Sequence, residues 1–554
     1  MSFVSSALWV IHWRHGQPFD IDEAGYSNLG IADLRALQQR GIIGWIRAVD
    51  GPNIFSPITT ALATPFLLVL GVHDVTMLLV PLALTLASTA LFFALARRIL
   101  ARPAAWAATI LLATTPSVID YSRTFVFVAA ATMVMVGALY TLLRSNRLQS
   151  RHWSVAFGVC VGLLPLARTE TVAYIPGLVV AAAAAGCLAD QRGRAARNGA
   201  IAAVCAVLTA ASWLAPNHNW LSVWDYLTGY GYGHAAANYG QSHSHLSYAA
   251  LHTTELSFLN EIYLPHFLVF ALGSLACLVI GVAAVHRSGL ATVAKRVVRH
   301  PLMPALVVVV EGFGALSSST NQGTGFSVPL VPGLCLLAAW AMHRMWPQRP
   351  GRVIAVAGVV GCLGFIPALP WSWPASRQVS VTLPQLGYAV VTSGQGLSAS
   401  GQFIDVSYPS AAQGQLGKEW VTANEQLGQH IASEYPVPAL AAFLFRNWWY
   451  NLNTVNFERN LADASTVPIT APEVEEIGAT PADLRKWLTT SWRRYICIAF
   501  TAPGTVDEFT PYINQPDAAR LLASQGFVRV GTIPLPDGQT MTEWHHAQVC
   551  PGGH

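Results

Sequence analysis

The chain is poor in charge. Asp, Glu, Lys and Arg make up 11% of its 554 residues, where an ordinary soluble domain carries roughly 25%. Lysine is nearly missing, with only three against 29 arginines. This shortage excludes a cytosolic enzyme and a disordered chain. The eight cysteines form no C-x-x-C pair, which argues against a zinc or thioredoxin-type site. There is no internal repeat and no cytoplasmic nucleotide-binding motif. The net charge of +4 says little about partners, and no nucleic-acid partner is expected. What is abundant is apolar: 53% hydrophobic residues and a mean hydropathy of +0.42. A bilayer solvent selects that composition, so the chain reads as a polytopic membrane protein.

A hydrocarbon core of about 30 Å needs roughly 20 apolar residues per helix, fewer where the ends snorkel. Such stretches run over about 75–96, 105–118, 124–143, 153–167, 171–189, 198–215, 264–286, 301–317, 327–343 and 353–370. A short run, 2–13, precedes them, and a further apolar piece covers 56–72. That piece decides the topology. If it lies on the membrane surface, 16 arginines and lysines fall in five short loops on one side, from Arg97–Arg102 to Arg344–Arg352. The other side then holds only Arg14, Arg35, Arg40, Arg47, Arg123 and Arg168 before the tail. If it spanned, all five basic clusters would face outward, against the positive-inside rule. The surface reading gives about 11 spans. It places loops 14–74 and 216–263 and the last 184 residues outside the cytoplasm. The 2–13 run lacks a basic flank and a small-residue cleavage site, so it fits a signal peptide poorly; a late start that clips the first helix is expected.

Two domains follow: a transmembrane domain over 1–370 and a soluble α/β domain over 371–554, where polar and apolar residues alternate. In the second, 424–435 and 481–490 have helical patterns. Residues 494–500, 527–534 and 541–549 read as strands, with Asp537-Gly538 turning between the last two. Cys497 and Cys550 lie on these strands, and an oxidising compartment makes a disulfide between them reasonable. Unpaired thiols are the alternative.

Chemistry points first to the outer loop Phe19-Asp20-Ile21-Asp22-Glu23-Ala24-Gly25-Tyr26. Three carboxylates beside a membrane helix end are costly unless solvated or used. Such a group can supply a general base with a neighbour to orient it. Equally, Asp and Glu favour the first turn of a helix. Arg123 and Arg168 are the outer basic residues nearest the bilayer and suit a lipid phosphate or simple snorkelling. Asp120 follows Pro116 and reads as a turn residue or a second acid. Glu311 sits inside a span, as a substrate-path residue or a hydrogen bond to a neighbouring helix. The aromatic 216–263 loop, with Trp220, Trp224 and Tyr226 among its rings, suits sugar stacking or the membrane interface, and its glycines 229, 231 and 233 suit a mobile lid. His243-Ser244-His245 lacks helical metal-site spacing. In the tail, 446–453 mixes aromatic and amide groups, as a sugar-binding surface or a face packed on the membrane domain.

The order of parts is an initial helix, an acidic Asp22-Glu23-x-x-Tyr26 loop, an amphipathic outer helix and a Pro-containing apolar helix ending in Gly71. A span ending in Arg97-Arg98, the Tyr121-Ser122-Arg123 loop and Gly162-Leu163-Leu164-Pro165-Leu166-Ala167-Arg168 follow. This set resembles the GT-C glycosyltransferase superfamily, in particular its bacterial branch similar to protein mannosyltransferases and the aminoarabinose transferase of lipid A. The resemblance implies a GT-C-like helical membrane fold. It also implies inverting transfer of a hexose or pentose from a polyprenyl-phosphate donor to an envelope glycan, lipid or protein on the outer face of a bacterial cytoplasmic membrane. It implies that Asp22 is the base, Glu23 and Asp20 its neighbours or rivals, and that Arg123, Arg168, Asp120, Tyr26 and Glu311 serve the donor. No cofactor is expected; a divalent metal is compatible with the acids, but nothing calls for one. The chain departs from the family at Gly51-Pro52-Asn53, which lacks a basic residue, and at Gly325-Phe326, which replaces an Arg-Tyr pair. From another class, a lipid or solute transporter remains, but it predicts pseudo-symmetric halves that the sequence lacks.

Overall fold

The computed structural model describes residues 2–14, 16–51, 54–232, 260–319, 325–365, 380–383, 388–391, 411–434, 440–445, 449–462, 469–471, 481–490, 496–503 and 515–547. The first two-thirds are helical. In chain order these helices are α1 (Ser2–Trp9), α2 (Ile21–Val49), α3 (Ile58–Leu70), α4 (Asp74–Ile99), α5 (Arg102–Thr114), α6 (Pro116–Asp120), α7 (Val128–Arg144) and α8 (Arg151–Ala167). They continue as α9 (Ile175–Cys187), α10 (Arg192–Leu214), α11 (Asn219–Tyr232), α12 (Asn260–Ser288), α13 (Leu290–Arg299), α14 (Met303–Ser318), α15 (Val331–Met345) and α16 (Pro350–Phe365).

Every stretch expected to span coincides with a helix, but the count of about 11 is only partly reproduced. Among the described residues, five helical segments are long and apolar enough to cross alone: 74–99, 169–187, 192–214, 264–288 and 328–345. A sixth arises if α13 and α14, bent by 102° at 300–302, count together. The remaining apolar helices are shorter. The break after α5 has a local cause, since Pro116 drives Thr115 out of the helical region and the chain restarts as α6.

Both α2 and α3 leave apolar side chains exposed. Gly41, at φ +64°, kinks α2, and beyond the kink Ile42, Ile43 and Ile46 are exposed. At the end of α3, Leu68, Val69 and Leu70 are exposed too. Elsewhere the bundle closes through small residues. A Cβ on Gly158 or Gly162 of α8 would run into the backbone carbonyls of Ala202 and Ala206 of α10, the close approach that small residues permit between membrane helices.

The tail holds a two-stranded antiparallel ribbon, β1 (Ser380–Leu383) and β2 (Tyr388–Val391). Its body comprises α17 (Ala411–Glu434), β3 (Leu440–Phe443), α18 (Leu452–Leu461), β4 (Ile469–Thr470), α19 (Pro481–Leu488), β5 (Ile496–Thr501), α20 (Gln515–Ser524), β6 (Phe527–Pro534) and β7 (Thr540–His546). The five main strands form one mixed sheet, ordered β4-β3-β5-β7-β6. Strands β3 and β5 are buried along their whole length. Ile498 and Phe500 face a core with Trp420 and Leu427 of α17, and Ile496 and Ala499 one with Leu484 of α19 and Leu522 of α20. Helices thus cover both faces, as buried parallel strands require. Both expected helices and all three expected strands are present, and Gly538, at φ +80°, makes the β6–β7 turn. Cys497 is disulfide-bonded, whereas the cysteines at 160, 187, 205, 277, 335 and 362 are free. Cys550 lies outside the described residues.

This domain docks on α2 through amides. Asn453 Nδ2 donates to the Ile21 carbonyl (3.0 Å), Asn28 Nδ2 to the Asn453 carbonyl (3.0 Å), and Arg35 to Asn460 Oδ1 (2.5 Å). Phe457 stacks on Phe19 at 4.5 Å. The contact therefore falls on the acidic loop itself.

Candidate functional site

The three carboxylates of that loop have three different fates. Asp20 is fully buried and caps α2, accepting the Asp22 and Glu23 backbone N–H groups at 2.8 Å each, as an N-cap acid does. Burial, then the charges of Glu23 and Asp22, push its carboxyl well above the usual range. Glu23 is also fully buried. Its Oε2 accepts from Arg14 at 2.6 Å and its Oε1 from the Phe125 N–H at 2.9 Å, so it ties the acidic loop to the 121–127 loop. Arg14 donates as well to the carbonyls of Gln17 and Pro18. Asp22 alone of the three is partly exposed.

One turn on from Asp22, Tyr26 packs between Phe127 (4.0 Å) and Phe55 (5.4 Å). Burial pushes its hydroxyl pKa up, with Asp22 and then Glu170 reinforcing and Arg168 opposing; Tyr26 therefore stays a neutral donor. The same field joins Asp22, Tyr26, Arg168 and Glu170 into one cluster. Arg168 caps the end of α8, and its Nε donates to Glu170 Oε2 at 3.1 Å. Glu170 Oε1 accepts from the Tyr226 hydroxyl at 3.1 Å, which burial and then the Glu170 charge hold in its protonated form. The Arg168 guanidinium lies 4.6 Å from the Phe326 ring centre. This arginine keeps 12% of its surface accessible.

The wall behind Phe326 is set by Glu261, at the start of α12. Its carboxylate accepts from Ser327 Oγ (2.7 Å) and from the Gly325 N–H. Burial raises its pKa to about 7 against the pull of those two bonds and of Arg168. Gly325 is required here. Its φ is +78°, and a Cβ would strike Val128 and approach Arg168 Nη1 and Tyr121 at 2.9 Å. The departure noted at Gly325-Phe326 thus lets the backbone come up to the arginine.

The other sequence candidates lie elsewhere. Arg123 is fully buried, its Nε 3.1 Å and Nη2 3.3 Å from Ser6 and Ser5 of α1, over the Trp9 ring. It anchors the first helix and is not open to a ligand. Asp120 is buried at the end of α6, where its carbonyl accepts from the Arg123 N–H and Thr124 Oγ1. Glu311 sits on α14 against Gly177 of α9, a contact between helices. Sequence reading overlooked Glu170 and Glu261, counted Arg14 only as an outer charge, and took Tyr226 as one ring among many. Gly229 and Gly231, expected in a mobile lid, lie within helix α11, whereas Gly233 and the histidine part of the aromatic loop, in residues 233–259, and Arg446-Asn447-Trp448 lie outside the described residues. Among the described residues no group of three or more His, Cys, Asp or Glu is placed to hold a metal.

The fold has counterparts among known proteins. Residues 52–220 match the family of dolichyl-phosphate-mannose-protein mannosyltransferases. The structure is similar to that of ArnT from Cupriavidus metallidurans bound to undecaprenyl phosphate, with a TM-score of 0.56, 14% identity, and 99% of this chain and 98% of that one covered. Its apo state matches at 0.56 and 15%, over 98% and 97%. The mycobacterial arabinofuranosyltransferase AftD is matched at 0.49 and 14% identity, over 100% of this chain and 40% of that one. No curated protein matches. The chain shares the fold of the ArnT structures.

Proposed function

We propose that the chain is a glycosyltransferase that takes a sugar from a polyprenyl-phosphate donor and passes it, with inversion, to a hydroxyl acceptor on the outer face of a bacterial cytoplasmic membrane. The observation that carries this reading is the division of labour in the acidic loop. Asp20 and Glu23 are buried and committed to the fold, whereas Asp22 keeps partial exposure, and the charges of Asp22 and Arg168 both reach Tyr26. A hydroxyl must lose its proton as it attacks the anomeric carbon, and Asp22 is the acid placed to receive it. The leaving group is a phosphate ester and needs no proton, only positive charge. Arg168 supplies that charge, aligned by Glu170 and the Phe326 face, with Tyr26, Tyr121 and Tyr226 as neutral donors around it.

The solved ArnT structure holds undecaprenyl phosphate, which supports a lipid-linked donor here. The basic loops on one side and the disulfide-bonded Cys497 support an outer position for the C-terminal domain. Whether the sugar is a hexose or pentose, and whether the acceptor is a glycan, lipid or protein, are settled by the test. Membranes containing the protein are given a pool of radiolabelled polyprenyl-phosphate sugars. Transfer of label to an envelope fraction supports the reading; solute or lipid movement without transfer overturns it in favour of a transporter.

A further inference from the structure

Where α17 and α18 meet, a cavity of about 230 Å³ is lined by Glu425, Gln429, Glu458, Arg459, Leu461 and Ala462. It is separate from the Asp22–Arg168 cluster. Gly428 lets the two helices close at one end, since a Cβ there would strike the Arg459 side chain. Glu425, Gln429 and Ala462 are exposed and form the mouth. Glu458 lies at the floor, 8% exposed. Its carboxylate has no hydrogen-bond or ion-pair partner among the described residues. Buried carboxylates are ordinarily paired, so this one stands out. Burial, followed by the charges of Glu425 and Asp74, pushes its pKa up to about 8, the behaviour of an acid that lacks its cation. Asp74 opens α4 and accepts the Gly16 N–H at 3.0 Å, so the cavity lies where the C-terminal domain meets the start of a membrane helix.

We propose that this cavity is a binding site for an organic ammonium group, with Glu458 as its buried counter-ion and Glu425 as the charge at its entrance. A metal ion fits poorly, because no metal-holding cluster of three ligands exists among the described residues and such ions demand several oxygens. The volume holds several waters of about 30 Å³ each, room for a headgroup-sized amine with its stem along Leu461 and Ala462. A ligand with an anion beside its ammonium, as a zwitterionic lipid headgroup has, finds Arg459 on the same wall. The same chemistry is offered by a free amine. The site does not depend on the transferase reading.

The test uses the full chain, first in detergent with ethanolamine as probe, then in nanodiscs of phosphatidylethanolamine or phosphatidylglycerol. Calorimetry is expected to show saturable ethanolamine binding, weakened at least tenfold in Glu458→Gln and less in Glu425→Gln. Glu458→Gln keeps the shape of an acid that is mostly protonated without its ligand and should fold as well as the native chain, so its loss of binding reads the site and not the fold. A higher Tm in phosphatidylethanolamine than in phosphatidylglycerol, absent in Glu458→Gln, assigns the ligand to a lipid headgroup. Ethanolamine binding without that lipid effect assigns it to a free amine. No saturable ethanolamine binding, unchanged binding in Glu458→Gln, or binding of Mg²⁺ or Ca²⁺ in place of the amine overturns the proposal.

Discussion

Arg14 Nη2 lies 2.6 Å from Glu23 Oε2, and both side chains are sealed from solvent, at 1% and 0% exposure. The pair joins the end of the first helix to the acidic loop, and the second oxygen of Glu23 holds the Phe125 N–H. Two loops that frame the candidate site are thus pinned by one carboxylate.

Breaking one half of a buried ion pair is far worse than removing both, because it leaves an uncompensated charge. Arg14→Met should cost about 3–5 kcal/mol, and Arg14→Met with Glu23→Gln should recover part of that loss. Thermal unfolding of the two variants in detergent checks this. Equal Tm values for single and double variants would count against the pair.

If Arg168 holds the donor phosphate as proposed, Arg168→Gln should raise donor KM about 10- to 100-fold, the size of a lost hydrogen bond to a charged group. Tyr226→Phe removes the bond that steadies Glu170 and should change KM by less than about tenfold. A larger effect from Tyr226 than from Arg168 would reverse the assigned roles.

Asp33 lies 4% exposed between α2 and α3, beside the Thr60 hydroxyl. Burial raises its pKa to about 7, above the unfolded value of about 3.9. The folded state therefore holds the proton more tightly. Its relative stability is fullest below about pH 4, falls as pH rises through about 7, and is flat above. The penalty at pH 8 is on the order of 4 kcal/mol at most. Asp33→Asn should raise Tm at pH 8, and the gain should vanish near pH 4. A gain independent of pH would show that the carboxyl does not titrate in that range.

Gly158 of α8 lets α10 approach until backbone meets backbone. Gly158→Ala should lower stability by about 1–3 kcal/mol through overpacking, whereas Gly193, with open space around it, should accept alanine with little change. A Tm scan of both variants separates the two cases.

Much of this was legible in the sequence because it is written locally. Hydrophobic length gave the helices. Period-2 patterns and Asp537-Gly538 gave the last strands and their turn. The acidic loop was visible as a cluster, but not which acid keeps some exposure. That depends on Arg14 and Phe125, 9 and 102 positions from Glu23. Glu170 and Glu261 carried no local signal, since their meaning arises only when Tyr226 and Ser327 are folded against them. Arg123 looked like Arg168 on paper; a packed first helix separates the two.

The most direct test compares Asp22→Asn with Asp20→Asn in the radiolabelled sugar-transfer assay, each normalised to folded protein by its Tm. Asp22→Asn should keep its Tm and lose about 10²- to 10⁴-fold in rate, the contribution of a general base. Asp20→Asn keeps an oxygen that can cap the helix and should keep most of its Tm and more of its rate. Full transfer by Asp22→Asn, with loss confined to Asp20→Asn, would contradict the assignment of the base.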